Sequence, residues 1–262
     1  MSLSTDKLQT IVSLTSFPAA IPYAIHSIQS ILEGTTLPDK IVLYLTFSQF
    51  KETGIPQELL DMAKQNPRFE IRDYPEDIRS YRKLIPALTD FPEAVIVTID
   101  DDVKYHKQML HSLLELHKQI PDAVLAHRAK LMKPDKPYRK WRKYRWYHFL
   151  GKRIHAKFKN IQTGVGGVLY PPHSLKEDML DVKLFTEIAP TTDDIWFWAA
   201  AVANGTKIVP VPFGYNKPKG LGKPRTLSLK TVNFKSGEDR NSAALRNILE
   251  RYPLIKQKLE DE

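Results

Sequence analysis

The sequence contains no cysteine, which excludes disulfide scaffolds, zinc ribbons, thiol nucleophiles and iron–sulfur ligation, and which suits a reducing compartment, the cytoplasm by default. Long apolar runs are missing too: the longest, Ile195 to Ala203, is far short of a membrane span. Any membrane contact is therefore expected to be peripheral. The first residues, Met1 to Asp6, lack the basic-then-apolar layout of a signal peptide. There is no internal repeat and no low-complexity tract. No dinucleotide fingerprint, P-loop or HExxH is present, and the eight histidines suggest no Ser-His-Asp order. What is present is ordinary globular usage, with 42% hydrophobic and 26% charged residues over 262 positions, enough for one large α/β unit with its own core. No linker stands out, so a single domain over 1–262 is expected. Thirty-nine Lys and Arg against thirty Asp and Glu leave a net charge of +9, which points to an anionic partner: nucleic acid, a phosphate-bearing substrate or a membrane face.

The pattern predicts strands at Thr10–Thr15, Lys40–Leu45, Phe69–Arg72 and Ala94–Ile99, alternating with helices at Ile21–Leu32, Pro56–Lys64 and Ser80–Leu88. That alternation predicts a mostly parallel sheet with helices on both faces, its ligands gathered beyond the carboxyl ends of the strands. Further on, a helix is expected at His106–Lys118, a strand at Ala123–Ala126, order again at Gly164–Tyr170, a helix at Asp193–Ala203, a strand at Lys207–Val211 and a terminal helix at Asn241–Leu249. Asn216 to Gly222, rich in Gly, Pro and Lys, reads as a loop or lid.

Four constellations stand out. The apolar run Val95 to Ile99 leads directly into Asp100, Asp101 and Asp102. Two like charges at 4 Å repel by roughly 4 kcal/mol at an effective dielectric of about 20, so a partly buried trio calls for a cation or shifted protonation. An all-oxygen donor set suits Mg2+ or Mn2+; a solvated acidic turn is the alternative. Asp193 and Asp194 open a helix beside Trp196 and Trp198. The acids fit either capping or catalysis, and the indoles fit either a sugar-binding wall or core. Gly164, Gly166 and Gly167 flank an apolar strand, allowing backbone to approach a ligand or marking a bulge. Lys133 to Lys159 interleaves Arg139, Lys140, Arg142, Lys143 and Arg145 with Tyr138, Trp141, Tyr144, Trp146 and Tyr147, a mixture that suits anionic headgroups, stacked bases or a solvated face. His127-Arg128 reads as structural.

Taken together, Ile11 to Pro18, Asp77 to Leu88, the Asp100–Asp102 triplet, Thr163 to Pro172 and Ala189 to Trp198 resemble, in order and over most of the chain, bacterial A-type glycosyltransferases that build capsule or lipopolysaccharide glycans. The resemblance implies a GT-A-like nucleotide-diphosphosugar transferase fold, with a nucleotide-sugar-binding half at about 10–126, an acceptor-side half at about 160–250 and a basic aromatic insertion at 133–159. It implies a nucleotide-sugar donor, a glycan or lipid-linked acceptor and a Mn2+ or Mg2+ cofactor. Thr15, Ser16 and Phe17 would line the nucleoside pocket, and Lys83 would approach the phosphates. Asp100 would lie near the ribose or sugar and share the metal with Asp102, Asp101 assisting. Gly166 and Gly167 would let backbone approach the sugars, and Asp193 or Asp194 would be the catalytic base. Asn233 to Arg240 resembles the family's final polar loop, with Glu238-Asp239 closing over the donor. Related sequences often carry Arg in the first loop where this one has Ala20, so that contact is either lost or supplied by Arg79 or Arg82.

A base at Asp193 or Asp194 favours inversion at the sugar carbon. Two other readings compete. A metal-dependent phosphohydrolase would use Asp100 as nucleophile, Asp102 as acid and Asp193-Asp194 as metal ligands, but Lys104 stands where the haloacid-dehalogenase pattern needs Thr or Val. A nucleic-acid-binding module built on Lys133 to Lys159 leaves both acidic clusters unexplained. Contact between that segment and the inner face of the membrane is the remaining expectation, with nucleic acid disfavoured.

Overall fold

The computed structural model describes residues 8–133, 136–150, 153–212, 219–224, 226 and 239–262. Strands β1 (Thr10–Thr15), β2 (Lys40–Leu45), β3 (Phe69–Asp73) and β4 (Val95–Thr98) alternate with helices α1 (Ile21–Leu32), α2 (Gln57–Gln65) and α3 (Ile85–Asp90). After them come β5 (Val103–Lys104), α4 (Met109–Gln119), β6 (Val124–Ala126), β7 (Ala129–Leu131), β8 (Arg142–Lys143), β9 (Asn160–Gln162) and β10 (Val168–Tyr170). The chain ends through α5 (Val182–Ile188), α6 (Asp193–Asn204), β11 (Ile208–Pro210), β12 (Lys219–Gly220), α7 (Arg240–Arg251) and α8 (Pro253–Glu260).

Seven strands form one sheet in the order β11-β6-β10-β4-β1-β2-β3. The pairs among β3, β2, β1 and β4 are parallel, as is β11 with β6, whereas β10 runs antiparallel to both its neighbours. Both faces are covered, which explains the near-continuous apolar strands. Ile11, Val42 and Ile96 enter one core, and Val12, Ile41 and Val97 the other, the period-two alternation of a pleated strand.

One element departs from expectation in a way that shapes the site. The helix expected from Ser80 is broken into a 3-10 turn at Arg79–Lys83 and α3. Pro86 lies in the first turn of α3, where its missing N–H is tolerated, so a new helix starts there. Helix α6 is apolar on nearly every side. Ala244, Leu245, Ile248, Ile255 and Leu259 of α7 and α8 share its core, so α6 has no solvent face to keep polar. The Pro-initiated α8 had no counterpart in the sequence reading. Among the described residues of Lys133 to Lys159 only short elements form, one of which, β8, pairs with β7 in a separate three-stranded sheet of order β8-β7-β9. Among the described residues no helix is long and apolar enough to cross a membrane.

Candidate active site

The acidic run begins where the central strand β4 ends, so Asp100 leaves the sheet beside the carboxyl end of β1. Its backbone N–H donates to the buried Tyr105 hydroxyl at 2.8 Å, and that hydroxyl also faces the Val165 carbonyl. Tyr105 thus fixes the Asp100 backbone against the glycine-bearing loop. Lys83, delivered by the 3-10 turn, is 6% exposed, with its Nζ 3.0 Å from Asp100 Oδ1 and 3.0 Å from Asp193 Oδ2. Burial alone would weaken its hold on a proton, but Asp100, Asp193 and Asp194 outweigh burial and hold the ammonium well above its ordinary range. Ser80 Oγ donates to Asp193 Oδ1 at 2.8 Å. The other oxygen, Asp193 Oδ2, meets Lys83 as an ion pair without hydrogen-bond alignment.

Asp194 has different surroundings. Its Oδ1 accepts the Gly164 N–H at 2.9 Å, and burial, with the charge of Asp193 next, pushes its carboxyl up to about 7 against the downward pull of Lys83. Gly164 joins these groups. A Cβ added there would lie 2.7 Å from Lys83 Nζ, 3.2 Å from Asp100 Oδ1 and 3.3 Å from Asp194 Oδ1, so a side chain has no room. Gly166 and Gly167, the glycines singled out in the sequence, pack elsewhere. Gly166 abuts His127 and Arg128, and Gly167, at φ +90°, abuts Met109.

Beyond the end of β1, Ser16 Oγ donates to Asp101 Oδ2 at 2.7 Å. Lys223, from the described segment that follows β12, donates to Asp101 Oδ1 at 2.7 Å and lies 3.1 Å from Asp102 Oδ2. Burial lifts the Asp101 carboxyl although Lys223 and Ser16 pull it down, while at Lys223 the two aspartates outweigh burial and raise the ammonium. The Lys223 ammonium also lies 5.8 Å from the Phe17 ring centroid. Arg82 is occupied with scaffolding: buried at the strand ends, it donates to Thr15 Oγ1 at 2.7 Å, to the Ser16 carbonyl at 3.0 Å and to Thr46. Arg79 is exposed and adopts φ +53°.

Lys223, Ser80 and Tyr105 were not singled out in the sequence, and Gly164 was named there as one of three glycines with no role of its own. Of the three not singled out, only Lys223 left a signal there, one residue past the stretch read as a lid; of the described part of that stretch, 219–222, Lys219–Gly220 pairs with β5 as a strand. The indoles are core: Trp196 and Trp198 are fully buried and donate to the Met179 and Phe158 carbonyls. They stand on a helix enclosed on all sides, which removes them as a sugar-binding wall. His127 is buried, which lowers it to about 4, and it contacts Ser112 Oγ and the Met109 carbonyl. Asp239 caps α7, its carboxylate accepting from the Ser242 N–H and Oγ; Asn233 to Glu238 lie outside the described residues.

No protein-family model and no curated protein matches the chain. A solved structure does: the mannosyltransferase PcManGT from Pyrobaculum calidifontis, in complex with GDP-Man and Mn2+, aligns over 98% of this chain and 75% of its own at TM-score 0.53 and 14% identity. The chain has a GT-A-like fold. At that identity the likeness is one of fold.

Whether the residues suit a divalent ion is a question of donor chemistry. Among the described residues no three His, Asp or Glu side chains converge as a ready-made cage. Asp100 and Asp102 are 29% and 30% exposed, against 10% for Asp101. Two accessible carboxylates flanking a buried one fit an ion of the Mg2+ type, which is commonly held by one or two carboxylates and completed by the phosphates of its substrate.

Proposed function

We propose that the chain is a divalent-metal-dependent glycosyltransferase that moves a sugar from a nucleotide-diphosphate donor to an acceptor hydroxyl of a glycan or lipid-linked glycan, inverting the sugar carbon. One observation carries the reading: a buried lysine shared between the strand-end Asp100 and the helix-start Asp193, with Asp194 alongside. Such a site offers positive charge to a leaving diphosphate and a carboxylate to an incoming hydroxyl. The GT-A-like fold supports it, as does PcManGT, which was solved with GDP-Man and Mn2+. A capsule or lipopolysaccharide acceptor follows from the sequence resemblance.

Asp102, with Asp100, would hold the Mn2+ or Mg2+ ion. That ion would act as Lewis acid toward charge developing on the departing diphosphate. Lys83 adds to that stabilisation from a site already organised by Asp100 and Asp193. Thr15, Ser16 and Phe17 form the nucleoside side of the pocket. Arg82 positions the first two by holding the ends of β1 and β2 together. Asp194 is the general base: a carboxyl raised to about 7 is a far better proton acceptor at neutral pH than an ordinary aspartate. In a productive complex it must come within about 2.6–3.2 Å of the acceptor hydroxyl.

The decisive assay measures nucleoside diphosphate release from a panel of sugar nucleotides, GDP-mannose included, with and without Mn2+ and a sugar acceptor. Release that needs Mn2+ and rises with acceptor is expected, as is its loss in Asp102→Ala with the circular dichroism spectrum unchanged. Full turnover in that variant would overturn the mechanism. Cleavage insensitive to any acceptor that yields nucleoside monophosphate and sugar phosphate in place of nucleoside diphosphate would favour a phosphohydrolase.

A further inference from the structure

We infer that the described residues of 138–150 and 153–154 form a docking surface for an anionic lipid bilayer. The inference stands apart from the transferase reading, because the cationic and apolar side chains it invokes have no part in the proposed chemistry.

The segment is built as a surface, with one set of aromatics turned inward as anchors. Trp141 is buried and its Nε1 donates to the Lys133 and Lys136 carbonyls at 3.0 and 2.8 Å. Phe149 is buried, and the Tyr144 hydroxyl donates to Asn160 Oδ1 at 2.8 Å. With those anchors inside, other apolar side chains face outward: Tyr147 is 47% exposed, Leu150 58% and Ile154 46%. They fall within eight consecutive positions, with exposed Arg153 among them and exposed Arg142, Lys143 and Arg145 just before. A solvated loop has no physical reason to present leucine, isoleucine and tyrosine together.

Charge selects the occupant. From Lys136 to Lys159 the sequence carries no Asp or Glu, and the acid that meets the segment's backbone, Glu262, does so at Phe158 and Lys159, beyond Ile154. A protein partner with an acidic groove would leave the exposed aliphatics to pair with its own; a nucleic acid would use the cations and the aromatic faces but leave Leu150 and Ile154 in water. A bilayer uses both. Headgroup phosphates meet the guanidinium and ammonium groups, each contributing favourably within a Debye length, while tyrosine, leucine and isoleucine enter the headgroup–acyl boundary.

The test is co-sedimentation of the full chain, without donor or metal, with vesicles of phosphatidylcholine alone and of phosphatidylcholine mixed with phosphatidylglycerol. Partitioning is expected only with the anionic vesicles and is expected to weaken as salt is raised. Replacing Arg139, Lys140, Arg142 and Lys143 by Gln should lower the partition coefficient by at least about a hundredfold. Replacing Tyr147, Leu150 and Ile154 by Ser should lower it about tenfold or more even at low salt. Unchanged melting curves would show that both variants fold. Equal binding to both vesicle types overturns the inference. So does loss through the charge variant but none through the apolar one, combined with tighter binding to single-stranded polynucleotide, which would make the surface a nucleic-acid site.

Discussion

Asp193 and Asp194 are consecutive, yet the helix turn sends them to different neighbours, and that difference assigns their roles. Asp193 is tied to Lys83 and Ser80; Asp194 keeps a single backbone donor, Gly164, and burial raises it from 3.8 to about 7. Two pH effects follow. The folded chain holds a proton that the unfolded chain releases, so the stabilising contribution is full below about pH 4, declines as pH rises through about 7, and is flat above that. If Asp194 is the proposed base, its ionised form is the active one, so transfer should rise with pH and level off above about 7. Asp194→Asn should flatten the stability slope between those limits in urea titrations. It should also lower transfer by about 10²–10⁴-fold, and a retained pH–rate profile would remove Asp194 as the base. The acids themselves were legible because each cluster is contiguous and follows a recognisable strand or opens a recognisable helix. Lys223 was not, and Gly164 was legible only as one of three glycines beside a strand: both roles depend on contacts between distant parts of the chain, which leave no periodicity.

Strands β1, β2 and β4 could be read almost to the residue because burial on both faces demands an unbroken apolar, β-branched run. Helix α3 was read poorly because the spacing from Ser80 to Leu88 fits a helix until Pro86 resets it, and that break is what delivers Lys83 to the carboxylates. The short pair β5–β12 was not anticipated at all: two residues on each strand are too few for a pattern. Its effect on the site is nonetheless large. Pairing of Lys219 with Lys104 and Gly220 with Val103, followed by Leu221 N–H donating to the Asp102 carbonyl at 2.9 Å, brings Lys223 onto Asp101 and Asp102. Both side chains of the Lys223–Asp101 pair are 10% exposed, so Lys223→Gln leaves a buried carboxylate beside a second one. That variant should lose about 3 kcal/mol of unfolding free energy, measured by urea denaturation at neutral pH. Adding Asp101→Asn should recover most of the loss, since removing both charges removes the penalty. An unchanged midpoint in the single variant would show that the ion pair does not form in solution.

At the scale of the whole molecule, the sheet places strand ends from early in the chain and a helix start from late in it around one cluster of charged side chains, so ligand binding there would be coupled to global unfolding. The carboxylate arrangement makes that coupling conditional. On the proposed function, Asp100 and Asp102 would offer an ion too few ligands to hold it firmly alone, and Lys223 already occupies Asp102. A nucleotide diphosphate alone would bring its charge to the same aspartates and be repelled by them. With both present, the phosphates would supply the missing ligands and the ion would offset the repulsion, so each ligand should improve the affinity of the other by the same factor. Thermal melts should therefore show small shifts with Mn2+ alone or sugar nucleotide alone, and a shift well above their sum when both are present, because only binding to the native state raises its stability. Strictly additive shifts would mean that ion and donor bind independently, and the Asp100–Asp102 pair would then not be where they meet.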